Sequence, residues 1–175
     1  MKYFLSILSV VGIILIFIFC PRVEKKQVEY LRIHIRANSN LSQDQTVKYA
    51  VKDAVVDALI PLLAEAKDFD EAKNVVQKNI QLIETTANAV LEKNGFDYTS
   101  SAQIKEEYFP TRVYDNITLE EGNYQALILN LGSGEGNNWW CLVYPAFCFT
   151  SSTKTDNVVY ISKIWEIIKN ITREE

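Results

Sequence analysis

Histidine occurs once in this chain, at His34, and cysteine three times, at Cys20, Cys141 and Cys148. A single imidazole excludes most histidine-based metal sites, and the spacings Cys-x-x-Cys, His-Glu-x-x-His and Gly-x-Ser-x-Gly are missing. Gly132-Ser-Gly-Glu-Gly136 lacks the Gly-Lys-Ser ending of a phosphate loop and leads into a strand instead of a helix. No catalytic set, metal, cofactor or small-molecule substrate is therefore expected. Blocks of like charge are missing too. The 18 Lys and Arg against 22 Asp and Glu give a formal charge of −4 with no basic stretch, which removes nucleic acid from the expected partners. With 48% hydrophobic and 23% charged residues the chain is an ordinary folded one, and 175 residues make one domain the default.

What is present begins with an apolar run from Tyr3 to Cys20, followed by Pro21 and the charged stretch Arg22 to Lys26. Its length of roughly 18 residues is at the lower limit for spanning a bilayer and above that of a cleavable signal core. The bulky Ile18 and Phe19 fit neither a small-x-small cleavage pattern nor a lipoprotein signal at Cys20. Residues 1–27 are thus expected to be a membrane anchor or signal segment with a stem, contacting the membrane through residues 3–20, and residues 28–175 a single extracytoplasmic domain. Two signals disagree on orientation. Lys2 before the run and Arg22, Lys25 and Lys26 after it favour a cytoplasmic body. Cys141 and Cys148, the two cysteines of the body, favour an oxidising compartment if they close a disulfide; the other reading is two buried thiols acting as small hydrophobes.

Periodicity supplies the elements. Val28 to Arg36 alternates, with Tyr30, Arg32, His34 and Arg36 on one side and Leu31, Ile33 and Ile35 on the other. This predicts a strand with one buried face. His34 then reads as half-exposed surface beside two arginines, or as a general base or pH-sensitive contact. A helix is expected from Ser42 to Ala66, capped by Asn40 or Ser42, with Ser42 and Gln45 as a capping box and Pro61 kinking or dividing it. A second runs from the Asp68 cap to Asn94-Gly95, so that the two form an antiparallel hairpin. Tyr98 to Phe109 reads as a strand whose Lys105-Glu106-Glu107 segment suits an edge. Tyr124 to Leu131 and Trp139 to Tyr144 read as an antiparallel pair joined by a glycine-rich hairpin loop. Val158 to Ile171 suggests a last amphipathic helix. The sum is an α+β domain: a mainly antiparallel sheet with a helical hairpin and a C-terminal helix, plus the N-terminal hydrophobic anchor.

The stretch from Gly132 to Phe149 is the densest in the chain, with three glycines, two adjacent tryptophans, two cysteines and a proline-broken aromatic run. Adjacent strand residues point to opposite faces, so one of Trp139 and Trp140 can enter the core while the other faces outward. With Tyr144, Phe147 and Phe149 they have the composition of an interface hot spot. The alternative is that both rings are covered by the C-terminal helix. Cys141 with His34 is a possible thiolate pair, though no third group is available to orient it.

Leu31-Arg-Ile-His-Ile-Arg-Ala-Asn-Ser39 with Asp44-Gln45, Phe109-Pro-Thr-Arg112, Gly122-x-Tyr124, and Gly136-x-Asn-Trp-Trp-Cys-Leu-Val-Tyr-Pro145 with Cys148-Phe149 closely resemble the stage II sporulation protein R family of endospore-forming bacteria. The chain departs from the family pattern at Leu41-Ser42, where Ser-Pro is common. The resemblance implies a signalling protein and not an enzyme. Such a protein is made in the forespore and exported to the space between forespore and mother-cell membranes. There it stimulates a membrane-embedded aspartic protease of the mother cell to process the early sigma factor precursor. On that reading Trp139, Trp140, Tyr144 and Phe147 are the candidate partner contacts, with His34, Arg36 and Asn38 beside them, and Cys141 and Cys148 form a disulfide. Two other classes stay open: a cell-envelope module binding glycan, and a thiol enzyme using Cys141.

Overall fold

The computed structural model describes residues 29–114 and 117–145. In chain order these form β1 (Leu31–Arg36), α1 (Ser42–Leu63), α2 (Phe69–Lys78), α3 (Ile80–Lys93), β2 (Ser100–Phe109), β3 (Arg112–Tyr114), β4 (Ile117–Leu119), β5 (Gly122–Leu131) and β6 (Asn138–Tyr144). The expected anchor, the C-terminal helix, Phe147, Cys148 and Phe149 lie outside the described residues. Among the described residues no helix is long and apolar enough to cross a membrane.

The helices follow their periodicity, with three departures. Asp68 caps α2 as expected, accepting from the Glu71 N–H at 2.8 Å, while Glu71 reaches back to the Lys67 N–H at 2.9 Å. The chain leaves α3 through Gly95 at φ +79°, as expected, with the Phe96 N–H bonded to the Leu91 carbonyl at 3.0 Å. The first departure is at Asn79, which divides the expected second helix in two. Its side chain donates to the Val75 carbonyl at 2.8 Å, offering the backbone a local alternative to the helical ladder. Second, α1 begins after Leu41 with no side-chain cap, because Asn40 is engaged by the Asn137 N–H and Ser42 does not turn back. Third, Pro61 does not divide α1, which runs through it and ends two residues later at Leu63, short of the expected Ala66.

The sheet runs β2-β5-β1-β6, with β1 parallel to β5 and antiparallel to β6, and β2 antiparallel to β5. This corrects the expected hairpin between β5 and β6. β1 lies between them because it is buried on both sides and fills the centre of the sheet, so the glycine-rich connection must pass over the end of β1. β3 and β4 pair as a separate two-stranded ribbon.

One face of the sheet packs under the helices. Leu31, Ile33 and Ile35 of β1, Leu127, Leu129 and Leu131 of β5, and Cys141 and Val143 of β6 meet Val51, Val55, Leu59, Ile83, Ala87 and Leu91. Burying each Leu or Ile there is worth about 1.5–3 kcal/mol. Helix α3 also shields the β2 edge, since Asn88 and Glu84 accept from the Ser100 and Ala102 N–H groups, both at 2.7 Å. The opposite face holds a smaller apolar cluster of Phe109, Ala126 and Ile128, flanked by Tyr124 and Trp140.

Candidate functional site

The face turned away from the helices is where the alternation of β1 puts Arg32, His34 and Arg36. The sequence predicts these side chains at a half-exposed surface; instead Arg32 is 0% and His34 3% exposed. They are covered because neighbouring strands supply large rings on the same side, and Tyr114 of the ribbon reaches over Arg32. The Arg32 guanidinium lies 4.1 Å from the centre of the Phe109 ring and 4.9 Å from that of Tyr124, and donates to the Tyr114 hydroxyl at 3.0 Å. His34 sits between Phe109 and Trp140, with ring centres 5.9 Å and 5.3 Å away. Arg112 stacks on Trp140 at 4.4 Å. The result is a row of alternating cations and rings crossing the sheet. Such contacts contribute roughly 0.5–2 kcal/mol each, more when desolvated.

Glu107 is the one carboxylate bound into this row among the described residues. It takes His34 Nδ1 at 2.7 Å, Arg36 at 2.6 Å and Lys105 at 3.2 Å. A carboxylate only accepts, so the proton sits on Nδ1 and Nε2 is left as the acceptor. Nε2 is buried without a hydrogen-bond partner, as are Nε and Nη1 of Arg32 and Nε of Arg112. Burial lowers the His34 pKa, opposed by Asn138 and Glu107 and reinforced by Arg36, so the imidazole is neutral near pH 7. Burial alone would raise Glu107, but the hydrogen bond from His34, with Lys105 and Arg36, holds it below the usual carboxylate range.

A second polar cluster ties the end of β1 to the glycine-rich loop. Asp44 accepts from Asn38 at 3.0 Å, Ser39 at 2.5 Å and Tyr98 at 2.7 Å. Asn38 in turn accepts from the Ser133 N–H at 2.9 Å, and its carbonyl takes the Ser133 hydroxyl at 2.7 Å. The Gly136 N–H bonds the Ala37 carbonyl at 2.8 Å, and the buried Lys48 bridges Gln45 at 2.8 Å and the Asn137 carbonyl at 3.0 Å. Burial would raise Asp44, but the hydrogen bonds from Ser39, Tyr98 and Asn38 outweigh it and hold the carboxyl low. Tyr98 is pushed far up by burial and by Asp44.

The expected site residues therefore separate. His34, Arg36 and Trp140 converge on the outer face. Trp139 points to the helical side, where it is half-buried against the core with Lys52 5.8 Å from its ring centre. Tyr144 is 8% exposed and packs into the main core, and Asn38 is spent on the loop. Cys141 belongs to the helical side and His34 to the other, so the sheet separates the thiolate pair. Sequence reasoning missed Arg32, Glu107, Arg112, Tyr114 and Tyr124 as members of the row. Arg32, Arg112 and Tyr124 lie in segments that carry the family resemblance, whereas Glu107 and Tyr114 lie in none of them. Among the described residues no group of His, Cys, Asp or Glu could hold a metal.

The segments that carry the resemblance thus meet in two places, the row and the loop. A family model described as Stage II sporulation protein R matches residues 27–154. The chain belongs to that family. The stage II sporulation protein R of Bacillus subtilis (strain 168) is 34% identical over 119 residues, covering 68% of this chain and 53% of that protein. The chain therefore spans about half the length of the curated relative it matches. No solved structure matches it. Membership supports a role in sporulation.

Proposed function

We propose that the chain is an intercompartment signal of endospore formation. Exported from the forespore, and retained there or released by its N-terminal segment, it stimulates a membrane-embedded aspartic protease of the mother cell, which processes the early sigma factor precursor. The observation that carries this reading is the outer face of the sheet. It holds half-buried aromatics and arginines with unused donors. That is the chemistry of a binding face, and His34, its one buried base, has no nucleophile beside it in the row. The protein acts on the protease by contact and performs no chemistry itself. A wall-glycan module is less well supported, since Arg112 occupies the Trp140 ring face that a sugar would stack on. A thiol enzyme is opposed by the burial of Cys141, which is held as half of a disulfide and not as a thiol. We assign its partner as Cys148, and mass spectrometry of the unreduced protein should show that bridge.

The test is reconstitution in a non-sporulating bacterium, with the exported chain, the matching protease and its sigma precursor expressed together and cleavage followed by immunoblot. Cleavage should require the chain and its export, and a folded, exported Trp140→Ala protein should lose it. Cleavage that proceeds equally without the chain, by a protease shown to be competent, would refute the proposal.

A further inference from the structure

The row on the outer face is unbalanced in charge. Lys105, Arg36, Arg32 and Arg112 lie on or over it, and among the described residues Glu107 is the only carboxylate bonded to any of them. The whole chain carries a formal charge of −4, so this excess is local and opposite in sign to the rest. Arg32 and Arg112 have no carboxylate at all within the described residues, and both keep buried N–H donors that nothing accepts. An unsatisfied buried donor costs about 1–3 kcal/mol, and more on a charged group. Two acceptors of the row, His34 Nε2 and Glu107 Oε2, also lack a hydrogen-bond partner among the described residues, so what the face lacks is an acceptor placed within reach of Arg32 and Arg112.

We infer that this face takes an acidic, extended polypeptide segment, whose carboxylates bind Arg112, Arg36 and Lys105 while its apolar side chains rest against Trp140 and Tyr124. The inference deepens the proposed function, because it states the chemistry of the surface that the protease would present. Three features favour a peptide over an anionic membrane. Most of the cations are arginines, whose planar forks match carboxylates in pairs. They are held in place by ring stacking at 4.1 Å for Arg32 and 4.4 Å for Arg112, unlike the loose lysines of a membrane-binding surface. They also alternate with rings across strands of the sheet, which suits a linear chain of alternating character better than a layer of headgroups. Arg36 shares Glu107 Oε1 with His34, and Lys105 is ion-paired to Oε2 at 3.2 Å, so both cations can turn to an incoming carboxylate.

The probe is a short dye-labelled glutamate-rich peptide with blocked ends, titrated into the purified full chain in neutral detergent and read by fluorescence polarisation. Its glutamine analogue should bind at least about tenfold more weakly, as expected when a charge-assisted hydrogen bond is lost. Arg112→Gln and Lys105→Gln should each weaken the acidic peptide about fivefold, and added salt should weaken it further. Lys78→Gln and Lys93→Gln, at the ends of α2 and α3, should change nothing. Lys105 is half-exposed, so its variant remains informative even if Arg112→Gln loosens the ribbon. Equal binding of the two peptides, or equal effects from the helix lysines, would overturn the inference. So would binding to phosphatidylglycerol vesicles without binding to the peptide. The cleavage assay separates this from the broader reading. If precursor cleavage depends on the chain but is untouched by Arg112→Gln with Lys105→Gln, the acidic-segment inference fails and the signalling function stands. If the peptide is discriminated while cleavage ignores the chain, the opposite holds.

Discussion

Two polar clusters lie next to one another, one on the outer face of β1 and one at the turn that follows it, and they differ in how completely their hydrogen bonds are matched. At the end of β1, Asn38, Ser39, Asp44, Tyr98 and Ser133 use one another's donors and acceptors, and two oxygens of a single carboxylate serve three of them. On the outer face of β1, the neutral His34 and two cations, Arg36 and Lys105, converge on Glu107, while Arg32, Arg112 and His34 keep buried nitrogens with nothing to bond among the described residues. Both clusters are buried polar material of the kind that pins down a unique arrangement. The matched one has no bonds to offer a partner, so its work is to hold the glycine-rich loop over the sheet. The unmatched one has spare bonding capacity at the surface where the rings are half-exposed, which is why the proposed partner is placed there.

The comparison is broken most severely at Gly136. A Cβ there would stand against the Ser39 carbonyl, 2.6 Å from its carbon, and 2.9 Å from Cβ of Ala37. Both obstacles belong to the β1–α1 turn, and backbone cannot move aside as a flexible side chain can. Gly136→Ala should therefore cost about 3 kcal/mol or more in urea unfolding, because the loop must leave its seat. A normal unfolding curve would show that the loop is not locked onto β1.

Asp44→Asn should have the next largest effect, about 2–3 kcal/mol, since an amide brings donors to a place that already holds three. The pH dependence follows from the same geometry. The folded-state pKa of Asp44 is lowered, so its contribution is present above the unfolded value of about 4 and is lost as pH falls through the lower folded value. The native protein should lose stability over that acid window, and the asparagine variant should lose correspondingly less. Parallel acid profiles for the two would remove Asp44 as the centre of the cluster.

Much of the inner architecture was legible because it rests on local rules. The spacing of Val51, Val55 and Leu59, the Asp68 cap and the Gly95 exit each follow from residues within a turn or two of one another. The order of strands was not. Nothing local distinguishes β5 and β6 as a hairpin from β5 and β6 as the two flanks of β1, because the choice depends on which strand fills the middle. The outer row was hidden for a related reason. The alternation of β1 shows where Arg32 and His34 point, but whether that side is wet depends on a ribbon whose two strands have three residues each. So short an element has no periodicity to read. β2 is the edge strand that its charges suggest, but the role of Glu107 stayed hidden because its partners are 73 and 71 positions away in the sequence.

Two lysines sharpen the contrast at its smallest scale. Lys48 belongs to the matched cluster, 1% exposed, with Nζ bonded to Gln45 and to the Asn137 carbonyl, and burial lowers its pKa. Lys105 belongs to the unmatched one, at the rim, where it shares Glu107 with His34 and Arg36. Lys48→Met should cost about 1–2 kcal/mol, because two acceptors lose their donor, a cost partly offset by removing a charge that burial disfavours. Lys105→Gln should change stability by less than about 0.5 kcal/mol, since a half-exposed ion pair contributes little and Glu107 keeps its other donors. Urea unfolding of both variants beside the native chain measures the difference. If Lys105→Gln proves as costly as Lys48→Met, the outer cluster is as structural as the inner one, and its spare donors would no longer point to a partner.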